Sequence, residues 1–134
     1  MIISPTLYRS GRALLASLFI VSGILKLTAF TATVGWMAGL GVPFAMLAVI
    51  ATIAVEIGGG LAIASGWQVR PAAVLVALFT VAATLTAHRF WAADATSMQG
   101  QLTHFLKNIA LIGALLMVAA LEVSAGQPAK SNTI

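Results

Sequence analysis

Residues 43–67 read PFAMLAVIATIAVEIGGGLAIASGW, a stretch long enough to cross a bilayer. It carries a single charge, Glu56, well inside it. A charge at membrane depth costs a few kcal/mol or more unless it is paired, protonated or exposed to water. The stretch therefore predicts a membrane-spanning helix in which Glu56 has a partner or a function.

Small residues recur in the same stretch at the spacing of helix contacts. Ala54, Gly58 and Ala62 lie four residues apart, a pattern that lets membrane helices approach each other closely. Gly59 follows Gly58 and also removes a side chain from the helix surface. We predict that Ala54, Gly58, Gly59 and Ala62 pack against a neighbouring helix and do not contact a ligand.

The composition of the whole chain indicates an integral membrane protein. Of its 134 residues, 60% are hydrophobic and 7% are charged, whereas about a quarter of a soluble domain is charged. At about 20 residues per span, the length allows roughly four spans and no soluble domain. The net charge of +4 indicates loop orientation and contact with anionic lipid rather than nucleic-acid binding. The chain has no cysteine, which excludes disulfides and thiol relays.

Hydropathy divides the chain into one membrane domain, residues 1–126, and a polar tail, residues 127–134. The predicted spans are 7–26, 43–65, 71–90 and 102–122, which form an all-α four-helix bundle. The basic start and short apolar core of the first span also fit a signal peptide. The membrane helix is favoured because Lys26 directly follows that core and further spans follow it.

The segment between the first two spans, residues 27–42, is too short to span the membrane. Its apolar residues recur at helical spacing, which predicts a short interfacial helix, with an irregular loop as the alternative. Four spans place both termini on one side of the membrane. The basic residues then divide four to three: Arg9, Arg12, Arg70 and Lys130 on that side, and Lys26, Arg89 and Lys107 on the other. This bias predicts cytoplasmic termini.

The depths of the charged residues, calculated from the rise per residue of an α-helix, predict which residue pairs with Glu56. Glu56 lies about 20 Å along the second helix from Pro43, at nearly the depth of Arg12. Lys26 lies about 20 Å beyond Arg12 along the first helix. We therefore expect an ion pair between Arg12 and Glu56. One interpretation is a structural pair that fixes helix register, and the other is a carboxylate that handles protons or contacts a ligand.

Basic and polar side chains gather at the rim opposite the termini. They are Lys26, His88, Arg89, His104, Lys107 and Asn108. One interpretation is that the cations reach out to lipid phosphates. The other is an anion or quinone site in which His88 or His104 donates a proton. No group of His, Cys or acidic residues has the spacing of metal ligands, so we predict no metal site.

Three motifs occur in the order and spacing of a known family. Arg12 opens the first helix, and Gly23, Lys26 and Leu27 close it as G-x-x-K-L. Residues 56–66, EIGGGLAIASG, lead to Arg70, and residues 104–108, HFLKN, begin the last helix. Together they resemble the DoxX family of small bacterial four-helix membrane proteins, and the resemblance covers nearly all of the chain.

The resemblance implies a four-helix bundle in the bacterial inner membrane, associated with thiosulfate:quinone oxidoreductase subunits and other membrane redox complexes. It brings no settled reaction. We therefore expect a small accessory subunit of a quinone-linked complex, with a quinone, lipid or small-anion site in the bundle. As an enzyme it would be a quinone-linked oxidoreductase subunit: Glu56 and one histidine would move protons, and a partner would supply electrons.

The alternative is a non-enzymatic protein: a transporter of small molecules or lipids, or an assembly scaffold. A quinone is the only cofactor that the resemblance suggests, and none is expected to be intrinsic to the chain. The candidate partners are the bilayer, a redox-enzyme subunit and a second copy of the chain, with no nucleic acid among them.

Overall fold

The computed structural model describes residues 4–125, which are helical and contain no strand. Helix α1 spans Pro5–Thr28, α2 Phe30–Gly39, α3 Ala45–Ser65, α4 Val69–Ala87 and α5 Met98–Ala125. All but α2 are long and apolar enough to cross a membrane. The predicted all-α, four-span fold is confirmed. The polar tail predicted for residues 127–134 lies outside the described residues.

The short helix predicted between the first two spans is present as α2. It follows α1 after a single residue, Ala29. It is followed by a turn in which Gly41 takes a φ of +79°, a conformation that glycine adopts without steric penalty. The predicted short helix is therefore confirmed and the alternative of an irregular loop is wrong, while its interfacial position stays a prediction.

The four spanning helices pack in chain order. Helix α1 packs extensively against α3, α3 packs less extensively against α4, and α4 packs extensively against α5. The connections between successive spans make neighbours antiparallel. We call the end that holds the start of α1, the α3–α4 turn and the end of α5 the terminal end. The opposite end, which holds α2, we call the α2 end.

The apolar core occupies the half of the bundle nearer the terminal end. Its buried members are Ala16, Phe19, Ala62, Ile63, Val69, Ala72, Ala73, Val76, Ala77, Leu115, Val118 and Ala119. Towards the α2 end the buried positions include polar ones, namely Thr52, Glu56, Thr80 and Thr84. Apolar packing therefore closes one half of the bundle, and the other half holds polar groups inside.

Helix α3 contains one π-helical turn, Val55–Gly59. Such a turn inserts an extra residue and rotates the following residues around the helix axis. Gly59 and Ala62 are buried as predicted, but Ala54 and Gly58 are exposed on the surface of the bundle. The prediction that Ala54 and Gly58 pack against a helix is wrong, because four-residue spacing marks one face only in an unbroken α-helix.

Adjacent glycines of α3 contact two different helices. A Cβ atom on Gly59 would overlap Cγ2 of Val76 in α4. A Cβ atom on Gly60 would lie 2.7 Å from Cγ1 of Ile20 and 3.2 Å from the carbonyl oxygen of Ala16, both in α1. Close packing of α3 on both neighbours therefore depends on these two glycines, as small residues at membrane helix contacts generally allow.

Asp94 lies just before the start of α5 and caps it. Its Oδ1 accepts hydrogen bonds from the Ser97 N–H at 2.8 Å, the Ser97 hydroxyl at 2.7 Å and the Thr96 hydroxyl at 2.8 Å. These bonds, chiefly from Ser97 and then from Thr96, favour the carboxylate and lower the pKa of Asp94 to about 2. The cap is therefore present throughout the neutral and mildly acidic range.

Candidate functional site

A cavity of about 840 Å³ opens at the α2 end, where all five helices contribute to its wall. Much of the wall is apolar and includes Leu18, Leu25, Trp36, Leu40 and Phe79. The main polar groups on it are Ser22, Lys26, Thr52, Glu56, Thr80, Thr86, His88, His104, Lys107 and Asn108. The volume falls within the range of about 300–1,000 Å³ that is typical of small-molecule sites.

Lys26 and Glu56 form an ion pair on this wall. Lys26 Nζ lies 3.0 Å from both carboxylate oxygens of Glu56 and donates to Ser22 Oγ at 2.6 Å. The Ser22 hydroxyl in turn donates to Glu56 Oε1 at 3.2 Å. The Glu56 side chain is 7% exposed and that of Lys26 is 24% exposed. The three polar groups satisfy one another, and the pair carries no net charge.

The ion pair predicted between Arg12 and Glu56 is wrong. Glu56 pairs with Lys26, and Arg12 pairs with Glu122 at 3.0 Å. A Cβ atom on Gly23 would lie 3.2 Å from Glu56 Cβ, so Gly23 is level with Glu56. Arg12 is therefore about 17 Å from that level at about 1.5 Å of rise per residue.

Glu56 lies nearer the α2 end than predicted from a helix that starts at Pro43, because α3 starts at Ala45 and α1 continues to Thr28. Lys26 consequently lies within one turn of the level of Glu56, and its long side chain covers that distance. Whether Glu56 handles protons stays a prediction.

Two histidines stack on the opposite wall of the cavity. The rings of His88 and His104 are 5.0 Å apart, with 22° between their planes. His104 Nδ1 lies 3.3 Å from Lys107 Nζ. An ammonium has only donors, so Nδ1 accepts and the ring proton of a neutral His104 is on Nε2. His88 Nδ1 lies 3.2 Å from Gln101 Oε1, an acceptor, so a neutral His88 has its proton on Nδ1 and an acceptor at Nε2.

A chain of side-chain hydrogen bonds connects α5 to α4 beside the histidines. Asn108 Nδ2 donates to Thr84 Oγ1 at 2.9 Å, and the Thr84 hydroxyl donates to the Thr80 carbonyl at 2.6 Å. Thr84 is 2% exposed. Because buried polar groups are stable only when bonded, this chain positions the start of α5 against the end of α4 and holds the histidine pair.

The structure gathers most of the predicted rim residues around one cavity. Lys26, His88, His104, Lys107 and Asn108 all line it, while Arg89 is exposed and does not. Glu56, which we placed at a different depth, lines the same cavity. That these residues bind an anion or a quinone stays a prediction. The contribution of α2 was not predicted: its Trp36 and Met37, together with Leu40 just after its end, cover one side of the cavity.

A second polar cluster connects α1 and α5 at the terminal end. Arg12 Nη1 donates to Glu122 Oε1 at 3.0 Å, and the Tyr8 hydroxyl donates to the same oxygen at 2.8 Å. The Arg12 guanidinium also lies 5.5 Å from the centre of the Tyr8 ring. Its Nε is buried and has no hydrogen-bond partner among the described residues, an arrangement that typically costs about 1–3 kcal/mol.

No partner was predicted for Glu122, although the sequence contains a signal for one. The chain has three acidic residues, and only Glu122 ends a span on the side where Arg12 begins one. Pairing opposite charges that lie at the same depth would have predicted the contact between Arg12 and Glu122. Tyr8 gives no comparable signal, because a tyrosine near a helix end is also common as an interface anchor.

The chain is similar to a family of known proteins and to two proteins of Escherichia coli. The family model described as DoxX matches residues 9–89. Inner membrane protein YphA of Escherichia coli (strain K12) is 32% identical over 115 residues, which cover 86% of this chain and 82% of that protein. Inner membrane protein YqjF of the same organism is 35% identical over 109 residues, covering 81% and 78%. No solved structure matches the chain.

Proposed function

This chain belongs to the DoxX family, and on that premise we propose that it is an inner-membrane protein that binds a quinone at the α2 end and serves a membrane redox complex as a small accessory subunit. The cavity is the observation that carries the proposal, because it combines an apolar wall with polar groups from several helices. The two relatives, both named inner membrane proteins, support the location.

The charges around the cavity favour a neutral polar ligand over a strong anion. Lys26 directs its ammonium to both oxygens of Glu56 and to Ser22, so this cation is already neutralised. Lys107 is the remaining cation on the wall. A dedicated anion site gathers several uncompensated donors, and this wall offers one uncompensated cation.

The residues present fit the head and the tail of a quinone. The Nε2–H of His104 and the ammonium of Lys107 are donors suited to a ring carbonyl. The apolar wall formed by Leu18, Leu25 and Phe79 suits a prenyl chain. A bound quinone supplies two-electron, two-proton chemistry at its oxygens. Around it, the His88 ring and the Glu56 carboxylate would accept and return protons, and the covering helix α2 would limit the access of water.

The electrons have to come from a partner, because the chain has no cysteine and hence no thiol with which to exchange them. This requirement supports an accessory role in a complex over an independent enzyme.

Quinone binding is expected to quench Trp36, the tryptophan that lines the cavity. Trp67 and Trp91 are exposed elsewhere, so replacing both with phenylalanine leaves one reporter. In nanodiscs, decylubiquinone should quench its fluorescence saturably, and decanol, which has no quinone ring, should not. His104→Leu should weaken binding about tenfold, because it removes the Nε2–H that donates to the quinone carbonyl.

The matched control is Arg89→Leu, which changes a basic residue at the same end of the bundle but outside the cavity. Its affinity for decylubiquinone should equal that of the parent protein. Non-saturable quenching, or equal affinities in the His104 and Arg89 variants, would contradict the proposal. Quinone analysis of gently purified wild-type protein provides an independent measurement.

We also propose that both termini are cytoplasmic. The support is the sequence count of basic residues: Arg9, Arg12, Arg70 and Lys130 belong to the side of the termini, and Lys26, Arg89 and Lys107 to the other side. An excess of basic residues favours the cytoplasmic side.

Single cysteines test this orientation without background, since the chain has none. With cytoplasmic termini, a membrane-impermeant maleimide should label Ala95→Cys in cells whose outer membrane alone is permeable. It should label Trp67→Cys, at the terminal end, only after the inner membrane is lysed. The reverse pattern would show that the orientation is opposite.

A further inference from the structure

Gln101 binds one ring nitrogen of His88 from outside the cavity at the α2 end. Gln101 Oε1 lies 3.2 Å from His88 Nδ1. His88 lines the cavity, whereas Gln101 does not. The two nitrogens of an imidazole lie on different edges of the ring and can bind different partners. Nδ1 is therefore occupied by Gln101, and Nε2 is left for a second partner.

The backbone fixes both partners of this hydrogen bond. His88 directly follows α4, and its N–H donates to the Thr84 carbonyl at 3.0 Å. Gln101 lies in the first turn of α5, where its N–H donates to the Ser97 carbonyl at 3.0 Å. Asn108 of α5 donates to the Thr84 side chain, which joins the two helices at this end. The fold therefore sets the distance between Gln101 and His88.

This hydrogen bond decides which nitrogen of a neutral His88 carries the proton. An amide oxygen only accepts, so Nδ1 carries the proton and Nε2 has a lone pair. The partner of one ring nitrogen generally sets the protonation of the other in this way. Without such a partner, a histidine side chain in water favours the proton on Nε2. Gln101 therefore selects the less common tautomer of His88.

The Nε2 atom of His88 is accessible to a ligand. Across residues 4–122, this atom forms no hydrogen bond. Among the residues of that range that are not exposed, Arg12 Nε is the one side-chain nitrogen or oxygen that is both buried and without a partner. His88 is half-buried, so its unpartnered Nε2 is not enclosed. A lone pair there suits a ligand hydroxyl, which donates, and not a carbonyl oxygen, which only accepts.

His104 supplies the opposite group beside it. The two rings stack 5.0 Å apart. His104 Nδ1 lies 3.3 Å from Lys107 Nζ, which puts the proton of a neutral His104 on Nε2. The stacked pair therefore offers one acceptor, on His88, and one donor, on His104. A hydroxyl group both donates and accepts, so it can satisfy both rings, whereas a carbonyl oxygen can bond to His104 alone.

From this geometry we infer that Gln101 is a positioning residue, which holds His88 with Nε2 as an acceptor for a hydroxyl group of the ligand. The inference rests on the proposed quinone site and adds the form of the ligand that the site selects. That form is the hydroquinone, whose hydroxyl donates to His88 Nε2. An oxidised quinone carries acceptors only and gains nothing from that atom.

The tautomers can be measured without any ligand. The chain has two histidines, so isotope-labelled histidine gives one set of ring signals for each, and His104→Leu assigns them. Solid-state NMR is recorded on full-length protein in nanodiscs at mildly alkaline pH, where histidine is neutral. It should show His88 with its proton on Nδ1 and His104 with its proton on Nε2. Gln101→Leu should move the His88 proton to Nε2. A wild-type His88 with its proton on Nε2, or no change in Gln101→Leu, would overturn the inference.

Two further variants separate this hydrogen bond from the fold of α5. Gln101→Glu should keep the His88 proton on Nδ1, because a carboxylate offers only acceptors. Gln99→Leu is the matched control, because Gln99 is an exposed glutamine in the same turn and does not line the cavity. It should leave both tautomers unchanged. A different His88 tautomer in Gln101→Glu, or the same change in Gln99→Leu as in Gln101→Leu, would count against the inference.

Ligand selection is tested with decylubiquinol, added without oxygen as a competitor of the decylubiquinone that quenches Trp36. Gln101→Leu should weaken decylubiquinol binding about tenfold, because His88 no longer accepts its hydroxyl. Decylubiquinone, which only accepts, should bind no more weakly than to wild type. Equal losses for the two ligands would overturn the selection of the hydroquinone. If decylubiquinone does not bind wild-type protein, the proposed function fails, whereas the tautomer measurement still decides the role of Gln101.

Discussion

Replacing Gly60 with alanine is expected to destabilise the bundle, whereas the same change at Gly58 is not. A Cβ atom on Gly60 would lie 3.2 Å from the Ala16 carbonyl oxygen and 3.3 Å from the Ile20 nitrogen. These are backbone atoms, so relief requires α1 and α3 to separate. Overpacking of this kind typically costs about 1–3 kcal/mol, and a leucine at Gly60 should prevent folding.

Gly58 is the matched control because it lies two residues away in the same helix. Nothing lies within 4 Å of a Cβ atom built there. Alanine should be neutral or should stabilise the helix by up to about 1 kcal/mol through its higher propensity. The measurement is the thermal unfolding midpoint of detergent-solubilised protein, with Gly58→Leu expected to fold. Equal losses at both positions would show that α1 and α3 are not held at the distance the structure gives.

Gly59→Ala should also destabilise the bundle. The atom that a Cβ on Gly59 would overlap is Cγ2 of Val76, a β-branched side chain that is fully buried and cannot easily change its rotamer. Gly59→Ala and Gly60→Ala should therefore both unfold at a lower temperature than Gly58→Ala, and together they test the packing of α3 on each of its two neighbours.

The architecture could be predicted from the sequence because a bilayer restricts the solutions. A chain with 60% hydrophobic residues and four apolar stretches can satisfy its backbone in a membrane by forming helices. Short connections then make successive helices antiparallel neighbours. Even α2, which has no strong polar face, could be predicted because its apolar residues keep helical spacing.

The faces of α3 could not be predicted because the periodicity changes within the helix. The π turn at Val55–Gly59 leaves Ala54 and Gly58 on the surface and turns Gly60 towards α1. No residue type specifies such a turn, although a run of three glycines permits it. The contacts of the buried Gly23 with Glu56 and Ile57 could likewise not be predicted, because they depend on the register of α3 against α1.

The members of the candidate site were easier to predict than their partners. Polar residues at one end of four spans had to lie near one another, and five of the six rim residues line one cavity. Pairing depends on depth, which is sensitive to errors of a few residues in helix ends. That sensitivity explains why Glu56 was assigned to Arg12, although Lys26 is within reach of both its oxygens.

The Lys26–Glu56 pair should show strong energetic coupling. Glu56 is 5% exposed, so Lys26→Leu leaves a buried carboxylate without its counter-charge, and Glu56→Leu leaves the ammonium with Ser22 alone. Removing one partner of a buried pair typically costs about 3–5 kcal/mol, whereas removing both can be nearly neutral. We therefore expect each single substitution to reduce folded yield sharply and the double substitution to recover most of it.

Arg12 provides the comparison that distinguishes this pair from any other. Arg12→Leu should also reduce stability, because it leaves Glu122 with Tyr8 alone, but its effect should add to that of Glu56→Leu. Sites separated by more than about 7–10 Å with no shared partner are usually additive, and the levels of Arg12 and Glu56 differ by about 17 Å. If the double mutants showed energetic coupling of Glu56 to Arg12 and none to Lys26, the register of α1 against α3 would differ from the one described above.

Glu56→Gln separates a structural carboxylate from one that handles protons. The amide keeps the shape of the side chain and an acceptor for Lys26, so the variant should fold far better than Glu56→Leu. If the carboxylate only fixes α1 against α3, decylubiquinone should bind Glu56→Gln as it binds wild type, and quinone-linked activity with the redox partner should persist. If Glu56 returns protons to the bound ring, binding should be retained while that activity is lost. Loss of both with normal folding would instead place Glu56 in direct contact with the ligand.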